Sequence, residues 1–353
     1  MNPNRNGELG PSTNRDFANP HINTFFDQEW AFGFQTRPAQ WEFSTSVQHE
    51  LRQGLAVNVG YFRRVYTNLE LLYNRAFGSA DLDYFCVTAP VSAALPNGGG
   101  QQICGIPDLK PSTVGYQSKI GLQDNITTRA DNLGTRTYHW DGIDLTADAR
   151  LRGILLQGGM SVGKFSVNEC GLVGAAPSFQ FRGTGTERVP TDYCDKITVS
   201  TVASGSVLGG STTPWQAQVK FLASYLLPYQ VNVSAAYQTF PGRERLANVT
   251  FRNPAVGPSL GRPLSQTASV LINVIDPGTV FGDRVQQLDL RASKLFNLGR
   301  NRLRANLDVY NIVNDNSGLN YPTAFNPANP KLWERPGVIL PARSAKVSVQ
   351  YDF

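Results

Sequence analysis

The sequence contains no run of eighteen apolar residues, so no segment of it could cross a membrane as a helix. That leaves open membrane strands, which need only ~10 residues each and are half polar. Charged residues are few, at 17%, and hydrophobic residues make up 41%, which excludes disorder throughout. There are three histidines, His21, His49 and His139, and no C-x₂₋₄-C pair. No G-x-S-x-G, H-E-x-x-H or Walker A motif occurs. The expectation is therefore a non-enzyme, with no catalytic, cofactor or metal residues. The net charge is +5, but the basic residues are dispersed with no tract of five, and no nucleic-acid partner is expected. The polar start, MNPNRNGELGPSTNRDF, lacks a basic stretch followed by an apolar one, so it does not read as a signal peptide.

What is present is alternation of period two, arranged as hairpins. Trp41, Phe43, Val47 and Leu51 alternate with polar residues up to a turn at Arg52-Gln53-Gly54. A second strand starts at Leu55 and is expected to continue to about Asn74. The next hairpin spans Thr137 to Val167 around Arg152-Gly153. A third spans Trp215 to Phe240 around Leu227-Pro228, and a fourth spans Val285 to Asn314 around Asn297 to Arg300. A final strand closes the chain. The pattern predicts an all-β, antiparallel architecture of about nine strands.

The connections between hairpins, at about 75–137, 169–214, 251–283 and 315–342, read as long structureless loops. Such loops are evidence against a compact soluble domain. They are expected in an outer-membrane β-barrel, which has short periplasmic turns and long extracellular loops. The four cysteines form two local pairs, Cys86 with Cys104 and Cys170 with Cys194, each inside one of these loops. Disulfides there fit an exported protein. Zinc is the rival reading, short of ligands here, and four free thiols is the third.

The last residues, RSAKVSVQYDF, put Val349, Tyr351 and Phe353 on one strand face and stop the chain on an aromatic. This resembles the C-terminal strand of bacterial outer-membrane barrels, which the barrel-assembly machinery recognises. The expected outward faces are almost free of charge, with His49 and Lys294 as exceptions near the periplasmic end. The cost of charge on a lipid face falls there to ~0–1 kcal/mol. The opposite faces carry Arg64, Arg291, Arg304 and Asp308, expected to face a lumen and to pair with one another or with a plug.

The segments QWEFSTSVQHEL, VGYFRRVYTNL, WDGIDLTADARL, LGRPLS, QQLDLRASKLF, RLRANLDVYNIVN and VSVQYDF are more specific. Together they resemble the C-terminal part of TonB-dependent receptors, in particular the Oar-like group with a carboxypeptidase-regulatory-like N-terminal domain. The resemblance runs from about Gln40 to Phe353. It implies part of a larger barrel, of 22 strands in complete members, in the bacterial outer membrane. It implies outer-membrane lipid and the barrel-assembly machinery as partners, and an unknown extracellular substrate taken up with energy from TonB. Residues 1–39 then read as an extracellular loop segment and 40–353 as a partial barrel. No signal peptide, TonB box or plug is recognisable, so TonB would act only through the missing plug.

The expected substrate site lies in the loops at 75–137 and 169–214. The aromatic group Tyr61, Phe62, Tyr66 and Tyr73 could stack on a sugar, although girdle and cross-strand packing are the commoner uses. Asp81 and Asp83 are too few oxygens for calcium, and Asn97-Gly98-Gly99-Gly100 reads as a flexible loop. The main rival is a secreted soluble β-sandwich binding carbohydrate or protein, whose apolar faces would pack on each other. An outer-membrane lipase-type barrel is a third reading. It would need Ser and His together at the rim.

Overall fold

The structure is a computed structural model and describes residues 24–113, 124–182, 186–197 and 212–353. His21, most of the N-terminal segment and parts of the loops at 75–137 and 169–214 lie outside the described residues.

Among the described residues nine strands form one antiparallel sheet in chain order. They are β1 (Ala39–Arg52), β2 (Leu55–Thr67), β3 (Thr137–Leu151), β4 (Ile154–Asn168), β5 (Gln216–Leu227), β6 (Val231–Phe240), β7 (Val285–Leu298), β8 (Asn301–Tyr310) and β9 (Ser344–Asp352). Among the described residues no helix is long and apolar enough to cross a membrane. The hairpins lie where the alternation puts them. Their turns are short because they supply the left-handed residues that a twisted ribbon requires. Arg152 and Gly153 both have positive φ, at 35° and 88°, and Tyr229 and Gln230 follow suit at 63° and 60°. β1 and β9 do not pair with each other, so the sheet is open rather than closed.

The register produces two unlike faces. One row runs Val57, Ala147, Gly158, Phe221, Tyr237 and Leu288 across six strands. This face is apolar and uncovered: Trp41 is 64% exposed, Val47 71% and Val347 75%. It is less free of charge than the sequence suggests. Arg63, Asp141 and Lys164 stand side by side on it, with His139 beside them, at the loop end of β2, β3 and β4. Arg63 is paired with Asp141 at 2.9 Å, and the Tyr61 hydroxyl donates to the same carboxylate at 2.7 Å. Alternation assigns these residues outward, and the Asp141 carboxylate offsets the charge of Arg63. The other face carries most of the polar side chains, together with aromatics toward the loop end, such as Phe62, Trp140 and Phe165, and leucines such as Leu155, Leu222 and Leu226 toward the turns. On it Arg64 meets Glu42 at 2.6 Å, and Arg291 pairs with Asp308.

β2 stops at Thr67 instead of continuing to Asn74. Asn68 adopts φ 53° and breaks the strand. Glu70–Asn74 then joins a separate sheet with Asn125–Arg129 and Thr24–Phe26.

The long connections are not structureless. Leu82–Thr88 pairs with Gln102–Leu109, and Asn248–Arg252, Ser269–Asn273, Glu187–Arg188 and Phe181–Arg182 form a four-stranded sheet. The main buried core of the molecule lies here. Of its described members, only Tyr138 and Val167 belong to the nine-stranded sheet. The loops are tied to one another by Arg262, which bridges Asp83 at 2.8 Å and Asp108 at 2.6 Å. Arg188 is buried in this core, donates to the Pro107 carbonyl at 3.1 Å and lies over Phe181. Loss of hydration pushes its guanidinium down to about 10.

Both cysteine pairs are bridged within this loop unit. Cα separations are 4.1 Å for Cys86–Cys104 and 4.8 Å for Cys170–Cys194. The unit docks on the polar face at one end of the sheet, where Tyr66, Tyr138 and Phe165 turn inward to meet it. A buried pair, Arg136 and Glu169 at 2.8 Å, fixes that junction. Arg136 also donates to the Glu70 carbonyl, and the Tyr138 hydroxyl donates to Glu169.

Candidate functional site

Gly142 on β3 and Gly163 on β4 are directly opposite in register and face the polar side. A pair of glycines leaves a bare patch of backbone. The indole of Trp140, two residues before Gly142, lies across it. A Cβ on Gly163 would stand 2.7 Å from Trp140 Cζ2, and one on Gly142 would be closer still. The missing side chains therefore let a large, rigid aromatic lie flat against the sheet instead of standing up from it.

Trp140 lines a cavity of about 760 Å³ beneath the loop unit. That volume falls within the range of small-molecule sites. Phe165 and Phe240 add apolar wall, and Gln216, Gln218 and Gln238 supply amides from β5 and β6. Lys220 and Arg243 supply two cations, and among the described residues no carboxylate lines this cavity. The period of two explains the set. Gln216, Gln218 and Lys220 are successive inward positions of β5, and Gln238 is paired with Lys220 across the ladder. Gln238 Nε2 donates to Gln287 Oε1 at 2.9 Å, which fixes its amide. The side chains of Gln216, Gln218, Lys220 and Arg243 make no hydrogen bond among the described residues. The cavity can therefore offer a flat apolar surface, unspent amide donors and acceptors, and two positive charges.

A second cavity of about 450 Å³ lies within the loops, lined by Asn97, Gln101, Asp192, Tyr193, Lys196 and Asp276. It falls where the sequence places a substrate site, but Lys196 and Asp276 are already paired there at 3.2 Å. The cavity over Trp140 is the larger of the two.

The aromatic group picked from the sequence is dispersed. Tyr61 is on the apolar face, Tyr66 packs on Phe165, and Tyr73 packs against the loop core. The tryptophan that lines the larger cavity is Trp140. Its signal is a tryptophan two positions before a strand glycine, with a second glycine opposite. Asp83 is engaged by Arg262, and Asp81 accepts the Gly78 amide at 2.9 Å. Among the described residues no group of three His, Cys, Asp or Glu side chains could hold a metal ion. His49 and His139 both face the apolar side, and His139 lies 3.6 Å from Asp141. Val349 and Tyr351 lie on the apolar face of β9, and the Tyr351 ring stacks on that of Phe353 beyond the strand end.

No protein-family model and no curated protein matches the chain. Among solved structures it is similar to the outer membrane transporter YddB from Escherichia coli, at 10% sequence identity and a TM-score of 0.38. That match covers 89% of this chain and 32% of the transporter, so the chain spans about a third of the length of that protein.

Proposed function

We propose that this chain is the C-terminal barrel portion of an outer-membrane receptor of the TonB-dependent kind, related to the Oar-like group. It takes part in the uptake of a substrate rather than in catalysis. The observation that carries this reading is the uncovered apolar face of the nine-stranded sheet. Soluble monomers rarely leave a contiguous apolar patch larger than a few hundred Å². Lipid covers such a face at no cost, and strands of 9 to 15 residues are long enough to span it. The charges on this face sit toward the ends of the strands. The short turns lie at one end and the folded, disulfide-bearing loops at the other, as in outer-membrane barrels.

In this reading the loops face outside, the turns face the periplasm, and the polar face lines a lumen. The free edges of β1 and β9 pair with further strands of a larger barrel. TonB would act through a plug, and the barrel-assembly machinery would recognise Val349, Tyr351 and Phe353. The soluble sandwich needs a second layer over the apolar face, and among the described residues none lies there.

The reading is tested by solubility and gel migration. The chain should require detergent and should migrate differently in dodecyl sulfate gels with and without boiling. A chain that purifies as a monomer in plain buffer, with the same migration in both lanes, would overturn it.

A further inference from the structure

We infer that the cavity over Trp140 is a binding site for an acidic oligosaccharide. The inference rests on the receptor reading only for how the ligand reaches the cavity. The chemistry comes from the lining itself. Trp140 presents a flat, rigid apolar ring seated on Gly142 and Gly163, the shape that the C–H face of a pyranose packs against. Gln216, Gln218 and Gln238 line the same cavity. Each amide both donates and accepts, which matches vicinal hydroxyls that also do both. Three amides in one cavity suit a ligand with several hydroxyls better than an apolar one.

Lys220 and Arg243 then set the charge. Both line the cavity, and among the described residues neither makes an ion pair and no carboxylate lines the same space; the nearest acids on the Lys220 side, Asp289 and Asp144, line separate, shallower clefts. Unpaired cations in a partly enclosed site favour anionic groups through charge-assisted hydrogen bonds. A sugar bearing carboxylates satisfies the ring, the amides and the cations together. A neutral sugar would leave the cations unused, and a simple anion would leave the platform unused. Much of the site is carried by the ladders β3–β4 and β5–β6, and rigid strands hold such groups better than loops do.

The test uses the full chain folded in detergent micelles and calorimetric titration with trigalacturonate. Maltotriose, which is uncharged, is the control. Trigalacturonate should bind, and maltotriose at least tenfold more weakly. Trp140→Ala should weaken trigalacturonate at least tenfold. Gln218→Ala, at an exposed side chain that makes no bond, should weaken it several-fold without disturbing the fold. Lys220→Gln should weaken trigalacturonate and bring the two sugars closer in affinity. No trigalacturonate binding by a chain with intact heat-modifiable migration would overturn the site while leaving the receptor reading in place. Binding unaffected by Trp140→Ala and Gln218→Ala would also overturn it, with Trp140 then a packing residue alone. Equal affinity for both sugars, untouched by Lys220→Gln, would overturn the acidic assignment. Migration that does not change on boiling, with binding retained, would instead sink the receptor reading.

Discussion

Two backbone positions without side chains decide how Trp140 sits. Because an added Cβ at Gly163 meets an indole ring and not a flexible chain end, Gly163→Ala forces the ring off the sheet. Overpacking of this kind costs about 1–3 kcal/mol. The variant should lower the urea midpoint in micelles and lose ligand affinity alongside Trp140→Ala; unchanged values for both would mean that the ring does not lie there. The Arg136–Glu169 pair makes a different demand. With side-chain exposures of 3% and 1%, neither charge can reach water if its partner is removed. Glu169→Ala should therefore cost the loop junction about 3–5 kcal/mol. Rapid proteolysis near 136 and 169 would report it, and wild-type resistance would count against the buried pair. Glu70 lies beside this junction. Burial raises its carboxyl above the ordinary carboxylate range, despite Arg37 and Arg136 nearby. The folded form therefore takes up a proton first, and the junction gains stability as pH falls from neutrality through that raised value. Glu70→Gln should slow loop proteolysis at pH 7 and remove the gain on acidification. A pH dependence identical to wild type would show that Glu70 is not its source.

At the scale of elements, the long hairpins could be read because one face alternates strictly with the other and the turns carry left-handed residues. The same rule also contained the Arg63, Asp141 and Lys164 row, since all three fall on outward positions. The pairing of Arg63 with Asp141 is a tertiary fact that no single strand reveals. The loops were opaque for a different reason. Their core is built from short strands of two to eight residues, too brief to establish a period, and from contacts far apart in sequence. Arg262 with Asp83, for example, joins positions 179 residues apart. The cavity was hidden for the same reason, because Gly142 and Gly163 become one surface only when β3 and β4 pair. Each disulfide closes a loop, with sequence separations of 18 and 24 residues, which by chain entropy is worth about 3 kcal/mol to the unit it closes. Reduction should therefore open the loops to protease while leaving the gel migration of the strands unchanged. Loss of heat-modifiable migration on reduction would show that the loops and the sheet fold as one unit.

For the whole molecule, the question is what covers the apolar face. The main core lies in the loops, so the nine-stranded sheet is not held together by packing on a second layer. Its stability must come from the ladders, from the loop unit at one end, and from whatever surrounds the face. Two neighbouring residues separate the possibilities. Val347 and Ser348 stand at nearly the same depth on β9, facing opposite sides, opposite Leu307 and Asn306 on β8. Val347 is 75% exposed. On a lipid face an arginine costs ~2–4 kcal/mol near the midplane, whereas on a lumenal face it is tolerated. Val347→Arg should therefore reduce the fraction of chain that folds into phospholipid vesicles, and Ser348→Arg should leave it near wild type. In a water-soluble chain, an exposed surface change is worth about half a kcal/mol at most. Two neutral variants would accordingly put water against the apolar face. Two equally damaging variants would mean that protein covers both faces of β9. Only the asymmetric outcome requires lipid on the Val347 side and a polar interior on the other, and that is the arrangement in which the cavity over Trp140 opens into a lumen.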